Sequence, residues 1–529
     1  MMTMRLSNLA CALDAPLSQP ERIALGALNL KPGELLAARL IKKSVDARDK
    51  GALHLVLTID VDIAPSVNLS ALRPARGATL SAVERVSYAL ATGTPPIKRP
   101  VVVGFGPAGL FAALALARAG LKPIVLERGK SVDARARDVE TFWQSGALDP
   151  ESNVQFGEGG AGAFSDGKLN TGISDPRCAF ILNTLCEHGA PEEILYTAKP
   201  HVGTDRLPSV VRAIREEIIA LGGEVRFEEK LIGLLIQGGA LRGAQTQRET
   251  IETDDLILAV GHSARDTFEW LHQAGIPMVA KAFSIGARIE HAQKMIDLAQ
   301  YGRAAGHPAL GAADYKLSAR TRSGRGVYTF CMCPGGTVVA AASENGCLAT
   351  NGMSVFARNG VNANSALLVS VDPGDFGTGA LDGVRFQRAW ERAAFALGGG
   401  DYRAPAQRVS DFMSGIASRD AGDVAPSYRP GVTYANLADC LPDFAVQAMR
   451  EGLAAMDRRL KGFASPGAIL TGVETRSSSP LRITRDERCM SSCAGLYPSG
   501  EGAGYAGGIL SAAVDGLRCA EALIERSRT

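Results

Sequence analysis

Three glycines spaced Gly104-x-Gly106-x-x-Gly109, with an acid, Glu127, roughly 20 residues on, are the first residues here that point to a chemistry. Gly104 suits a tight turn, Gly106 lets a pyrophosphate approach the main chain, and Gly109 permits a helix to lie close on a strand. Glu127 is placed to accept a hydrogen bond from a ribose hydroxyl. A second glycine-rich stretch, 157–167, includes Gly159 and Gly160 and can lay backbone N–H groups against an anion or a flat ring. A third runs from Ser499 through Glu501 to Gly507 and Gly508. There Glu501 can bond a chain hydroxyl, and a helix start at Gly507-Gly508 aims N–H groups at developing negative charge. Three further residues are chemically able. His201 suits a base near neutral pH, Lys168 suits an anion, and Cys333 offers a thiol, though a structural role fits each equally well. His262, just after Gly261, reads first as a structural hydrogen-bonder.

Elements must hold these residues. Val101-Val102-Val103 predicts a buried strand, and the Ala-rich run Leu110 to Ala119 predicts a helix with Pro107 in its first turn and Gly120 closing it. Pro123 to Leu126 reads as the next strand, ending at Glu127. Helices are expected over 131–140, 210–221, 384–397, 442–460 and 510–524, and strands over 224–227, 255–260, 283–289 and 327–340. Within the last, Pro334-Gly335-Gly336 predicts a hairpin turn. Alternation there puts Cys331 and Cys333 on one face, ~6.5 to 7 Å apart, at the limit for a disulfide, so buried thiols are expected rather than a redox pair. Cys489 and Cys493 carry no weight as a metal or redox centre, and no metal site is read. Near the amino terminus, 53–63 alternates as a strand and 20–40 can supply a helix, with Lys42, Lys43, Arg48 and Lys50 as its solvated end. Thr92 to Pro96 reads as a linker.

The whole chain sets bounds. With 529 residues there is room for two or three domains. A net charge of +2, with no aromatic-basic stripe, argues against a nucleic-acid partner; a small-molecule substrate is expected, and the oligomeric state is left open. No apolar run reaches the ~20 residues that cross a bilayer. Residues 1–17 lack a basic region followed by an apolar core, and ten scattered cysteines suit a reducing compartment, so cytoplasm is the expected location.

A simple NAD enzyme has no need of a second glycine-rich helix start 400 residues after the first, whereas an extended FAD does. The chain resembles the bacterial FAD-dependent dehydrogenase family within the glutathione-reductase-like flavoprotein superfamily. The resemblance rests on VVVGFGPAGL, NVQFGEGGAGAFSDGKL, KPHVGTD, FSIGARIEH, CMCPGG, TNGMS, GVETRSSSP and YPSGEGAGYAGGILSAAVDG. It implies FAD, with Gly104, Gly106, Gly109, Glu127, Glu501, Gly507 and Gly508 binding it, and a redox reaction of unnamed substrate. The fold expected is α/β. A Rossmann-like FAD-binding domain (96–280 and 466–529) carries an inserted mixed α+β substrate domain (281–465), behind a small N-terminal α/β domain (1–95). Hydride transfer at the flavin is the expected reaction. An FAD monooxygenase using NAD(P)H and oxygen is the alternative, and a non-catalytic flavin sensor or nucleic-acid-associated factor is a second. No second strand-GxGxxG-helix unit is found, so NAD(P)H enters at most as a transient reductant.

Overall fold

The computed structural model describes residues 2–83 and 88–528. Its centre is a five-stranded parallel sheet in the order Leu496–Pro498, Leu256–Leu258, Val101–Val103, Ile124–Leu126, Glu224–Arg226. Parallel strands covered on both faces are apolar throughout, and four of the five are wholly buried. Side-chain alternation divides them. Val102, Val125, Ile257 and Tyr497 face one layer of helices, while Val101, Val103, Leu126, Leu256 and Leu258 face the other side. The helix layer holds Pro107–Arg118, Leu207–Ala220 and Ile509–Arg526. The opposite face is covered by the antiparallel strands Leu231–Gln237, Ala240–Thr246 and Thr250–Glu252 and by the helix Arg265–Gln273.

The last helix therefore lies on the first despite their separation in sequence. Gly516 lets them touch, since a Cβ there would sit 2.0 Å from the Ala108 carbonyl oxygen. Gly109 serves the same end on the strand side, with a Cβ only 1.9 Å from the Gly104 oxygen.

The chain between is a mixed unit. Seven strands run in the order Ser318–Arg320, Gly326–Cys333, Asn362–Val371, Phe283–Ala292, Ile469–Glu474, Ala404–Arg408, Val432–Tyr434. Only the last pair is parallel. Ile469–Glu474 belongs to this sheet although it lies past residue 465, because it pairs antiparallel with Phe283–Ala292. Helices Asp382–Gly398 and Asp443–Asp457 complete the unit. Trp143, from the helix Val132–Ser145, docks on its core and donates from Nε1 to the Ala340 carbonyl at 3.0 Å.

A four-stranded antiparallel sheet, ordered 35–46, 54–63, 2–11, 79–82, forms the amino-terminal unit with the helix Pro20–Leu28. The helix is shorter than the sequence suggests. Asn29 closes it in a left-handed conformation (φ 53°), and the chain returns as the strand Leu35–Asp46, so Lys42 and Lys43 lie on a strand rather than a helix end. A second difference concerns Pro334-Gly335-Gly336, which is not a hairpin. Gly326–Cys333 pairs with 318–320 and 362–371, whereas Thr337–Ala340 pairs with Thr350–Met353. The turn docks sideways instead: Gly335 N donates to Gln293 Oε1 at 2.7 Å, and Gly360 N donates to the Gly335 oxygen at 3.1 Å.

Candidate functional site

One cavity of about 320 Å³ opens where the parallel strands end and the mixed unit leans over them. That is where ligands lie in open α/β sheets, outside the carboxyl ends of the strands. Its first wall is the turn Val103–Ala108. Gly104 (φ +90°) holds that turn tight, since a Cβ would lie 2.4 Å from the Ala259 oxygen. Gly106 faces Gly160 of the second glycine loop. This loop is built rather than floppy. Arg135, fully buried, donates to the carbonyls of Asn153 (2.8 Å), Glu158 (2.8 Å) and Val154 (2.9 Å) and so moulds residues 153–158.

Glu127 ties the two loops together. Its Oε2 accepts from Phe105 N at 2.8 Å, and its Oε1 from Gly129 N and Gly157 N, both at 2.9 Å. A carboxylate offers about four lone-pair sites, so one acceptor position is left for a ligand hydroxyl. Arg128 lies beside it, over the Phe156 ring at 4.0 Å and paired with Glu151 (2.7 Å) and Asp266 (2.9 Å).

The far wall comes from the carboxyl-terminal segment and the mixed unit. Glu501 lines the cavity, and its carboxyl makes no hydrogen bond to protein among the described residues, while its backbone carbonyl accepts from Gly504 N at 3.0 Å. Burial pushes its carboxyl up to about 7, with Lys281 working against that and Cys331 adding to it. Gly507, Gly508 and Ile509 bring the start of the 18-residue last helix onto the same wall, and a Cβ on Gly507 would meet nothing within 4 Å. Lys168 reaches in from the glycine loop, paired with Asp166 at 2.7 Å and hydrogen-bonded to the Met332 carbonyl. Burial opposes its charge, but the Cys333 and Cys331 sulfurs and Asp166 outweigh it and raise its pKa. Opposite, Arg288 holds Glu474 at 2.6 Å and Asn351 at 2.9 Å. Burial lifts Glu474 to about 7 against the pull of Arg288. Thr350 Oγ1, on the same wall, is buried without a hydrogen-bond partner among the described residues.

Gly104, Gly106, Glu127, Gly160, Glu501, Gly507, Gly508 and Lys168 thus share one cavity, while Gly109 and Gly159 support it from behind. His201 lies elsewhere. It lines a separate cavity of about 260 Å³ with Lys43 and Arg358, stacked on Phe356, and burial and the Arg358 charge lower its pKa. Cys333 is fully buried behind the wall; its neighbour Cys331 is the sulfur that lines the cavity. His262 also lines it, with Nε2 donating to the Arg476 carbonyl at 2.7 Å and burial pushing its pKa to about 4, so the ring is neutral. Asn351, Glu474 and Arg476 were legible only as parts of the TNGMS and GVETRSSSP blocks; nothing in their spacing marks them as cavity residues.

The cavity fits FAD. It pairs a glycine turn and acid with a distant second helix start, a free carboxyl and a wall of Cβ-less residues. This fold and site define an FAD-dependent oxidoreductase. The sequence comparisons agree: residues 99–159 match the FAD binding domain, and residues 282–477 match the family described as FAD-dependent protein, C-terminal domain-like. An "Uncharacterized protein" of Clostridium beijerinckii is 50% identical over 529 residues, 99% of each chain, and the present chain belongs to its family. Among solved structures, the E. coli quinol fumarate reductase FrdA (E245Q) is similar with a TM-score of 0.37, at 11% identity over 82% of this chain and 70% of that one. The L-proline dehydrogenase of P. horikoshii is similar with a TM-score of 0.32, at 13% identity over 82% and 95%. Among the described residues no helix is long and apolar enough to cross a membrane.

Proposed function

We propose that this oxidoreductase transfers a hydride between a small organic substrate and FAD, as a dehydrogenase or reductase. The carrying observation is the continuity of one cavity from Glu127 at one end to Lys168, Cys331 and Glu474 at the other. Bound there, FAD supplies a two-electron acceptor whose N5 takes the hydride, which leaves the protein to bind, orient and move protons. The N–H groups of Gly106, Ala108 and Gly109, at the start of the helix Pro107–Arg118, hold the pyrophosphate. Glu127 uses its remaining lone pair on the adenosine ribose, and Glu501 bonds the ribityl chain. The last helix start, at Gly507–Ile509, places its positive end where reduction puts negative charge.

The opposite end is cationic and polar. Lys168 and Asn351 are suited to an anionic or carbonyl-bearing substrate, and Glu474, with a pKa near neutrality, can give or take a proton. The described residues contain one parallel sheet of this kind, which favours direct hydride delivery by substrate over a standing NAD(P)H site. Anaerobic mixing with hydroxy acids, amino acids and NAD(P)H tests the reading: one of them should bleach the flavin without oxygen. Substrate conversion that requires oxygen, with one oxygen atom retained in the product, would replace this reading with monooxygenation.

A further inference from the structure

The strand that carries the cavity's only sulfur among the described residues is irregular at that point. Gly326–Cys333 follows its neighbour in register from Val327 opposite Val369 to Phe330 opposite Ala366. It resumes at Cys333 opposite Asn364, so three steps on one strand face two on the other. This is a β-bulge, of the kind that re-aims side chains beside sites. Cys331 sits in it with a left-handed φ of 44°, a conformation that costs energy in any residue but glycine and persists where surroundings impose it. Arg288 imposes it, donating from Nη1 to the Cys331 carbonyl at 2.9 Å while anchored on Glu474. The bulge defeats the extended geometry that would hold the two sulfurs apart. Cys331 turns to the cavity, and Cys333, behind it, donates from Sγ to the Cys331 carbonyl at 3.3 Å.

The two thiols are chemically unequal. The neighbouring Cys333 side chain does most to lower the pKa of Cys331; burial opposes this, and the Lys168 and Arg288 charges add to it. The neighbouring Cys331 side chain and burial raise Cys333. Cys331 is thus the sulfur favoured as the anion and Cys333 the one favoured as the protonated partner, with Lys168, Arg288, Asp166 and Glu474 as the charged groups around them.

We propose that Cys331 and Cys333 form a dithiol that exchanges two electrons with the FAD of this cavity. The cavity-lining Cys331 thiolate and the buried Cys333 thiol together lose two electrons and one proton as the Cys331–Cys333 sulfur–sulfur bond forms. Oxidised FAD accepts those two electrons and the proton, so the step balances without another oxidant, and it reverses when the flavin is reduced. Thiolate character on the accessible sulfur and a protonated partner are what such exchange requires. The bulge and the left-handed Cys331 take the pair out of the extended ~6.5 to 7 Å spacing that disfavours a disulfide, and Cys333 Sγ already lies 3.3 Å from the Cys331 carbonyl oxygen. This rests on FAD occupying the cavity, and it is independent of which substrate is oxidised.

The test is an anaerobic dithionite titration of FAD-loaded protein after ferricyanide oxidation and desalting. Wild type should take up four electrons per FAD, whereas Cys331→Ser and Cys333→Ser should take up two. In the same wild-type samples, thiols counted after unfolding should rise by two on reduction, to the full ten of the sequence. Two electrons per FAD and an unchanged thiol count in wild type would overturn the proposal, whatever the variants do. Flavin bleaching by an organic reductant would still stand in that case.

Discussion

Replacing Glu127 by alanine separates its two roles. The carboxylate accepts three buried backbone N–H groups, from Phe105, Gly129 and Gly157, at 2.8 to 2.9 Å. A hydrogen bond to a charged group contributes about 1.5 to 3 kcal/mol, so three at the low end amount to roughly 4.5 kcal/mol. Water reaching the vacated space through the cavity recovers part of this, because Glu127 is on the cavity wall. The expected loss in the FAD-free protein is about 3 kcal/mol, read as a lower urea midpoint with an unchanged slope. FAD affinity falls by a further ~1.5 to 3 kcal/mol for the ribose bond, which is about ten- to 150-fold in a fluorescence titration. Glu127→Gln should lie between, since its amide keeps one acceptor and turns a donor toward the other N–H groups. If FAD-free Glu127→Ala unfolds within about 0.5 kcal/mol of wild type, the carboxylate does not organise the loops, and the reasoning fails.

Other predictions concern the remaining walls. Glu501 has its pKa raised to about 7 from an ordinary 4.5, so the folded protein holds a proton that the unfolded chain has already released. That contribution is complete below about pH 4.5 and is lost as pH rises through 7. In the FAD-free state Glu501→Gln should therefore gain on wild type as pH rises from about 5 to 8, by up to about 2 kcal/mol in chemical denaturation; a gap constant with pH would contradict the buried-carboxyl account. Gly516→Ala should force the first and last helices apart at the Ala108 carbonyl and cost about 1–3 kcal/mol, with flavin lost on gel filtration; full FAD retention at wild-type stability would contradict that packing. Lys168→Met should slow flavin reduction by whichever compound bleaches wild type, while His201→Ala, in its separate cavity, should leave that rate unchanged. The opposite ranking in stopped-flow absorbance would move the reacting end to the second cavity.

Much of this site is local and was legible as such. A turn, its helix and its acid lie within one stretch of chain, and Val101–Glu127 folds as its spacing says. The late segment could be read too, because a free acid and a glycine-led helix have few uses so far from the first motif. Residues made by tertiary pairing were not. Arg288 and Glu474 meet across neighbouring strands, and Asn351 reaches Arg288 from a separate two-stranded sheet. Alternation put Cys331 and Cys333 on one face, and Cys333 was a candidate for its chemistry alone, but one extra residue in the strand turns Cys331 to the cavity and leaves Cys333 behind it, and a bulge leaves no periodic signal. His201 is in a chemically promising block, yet its neighbours at 308–312 and Lys43 come from remote segments that fix a different cavity.

The central claim is that one FAD spans the cavity from Glu127 to the Lys168–Cys331 wall, and a crystal structure of the FAD-loaded protein tests it most directly. The account predicts the adenosine ribose on Glu127, the ribityl chain on Glu501, and the isoalloxazine between the start of the last helix at Gly507–Ile509 and the wall of Lys168 and Cys331. An isoalloxazine at the Arg128–Lys230 end, or a flavin in the cavity beside His201, would contradict it.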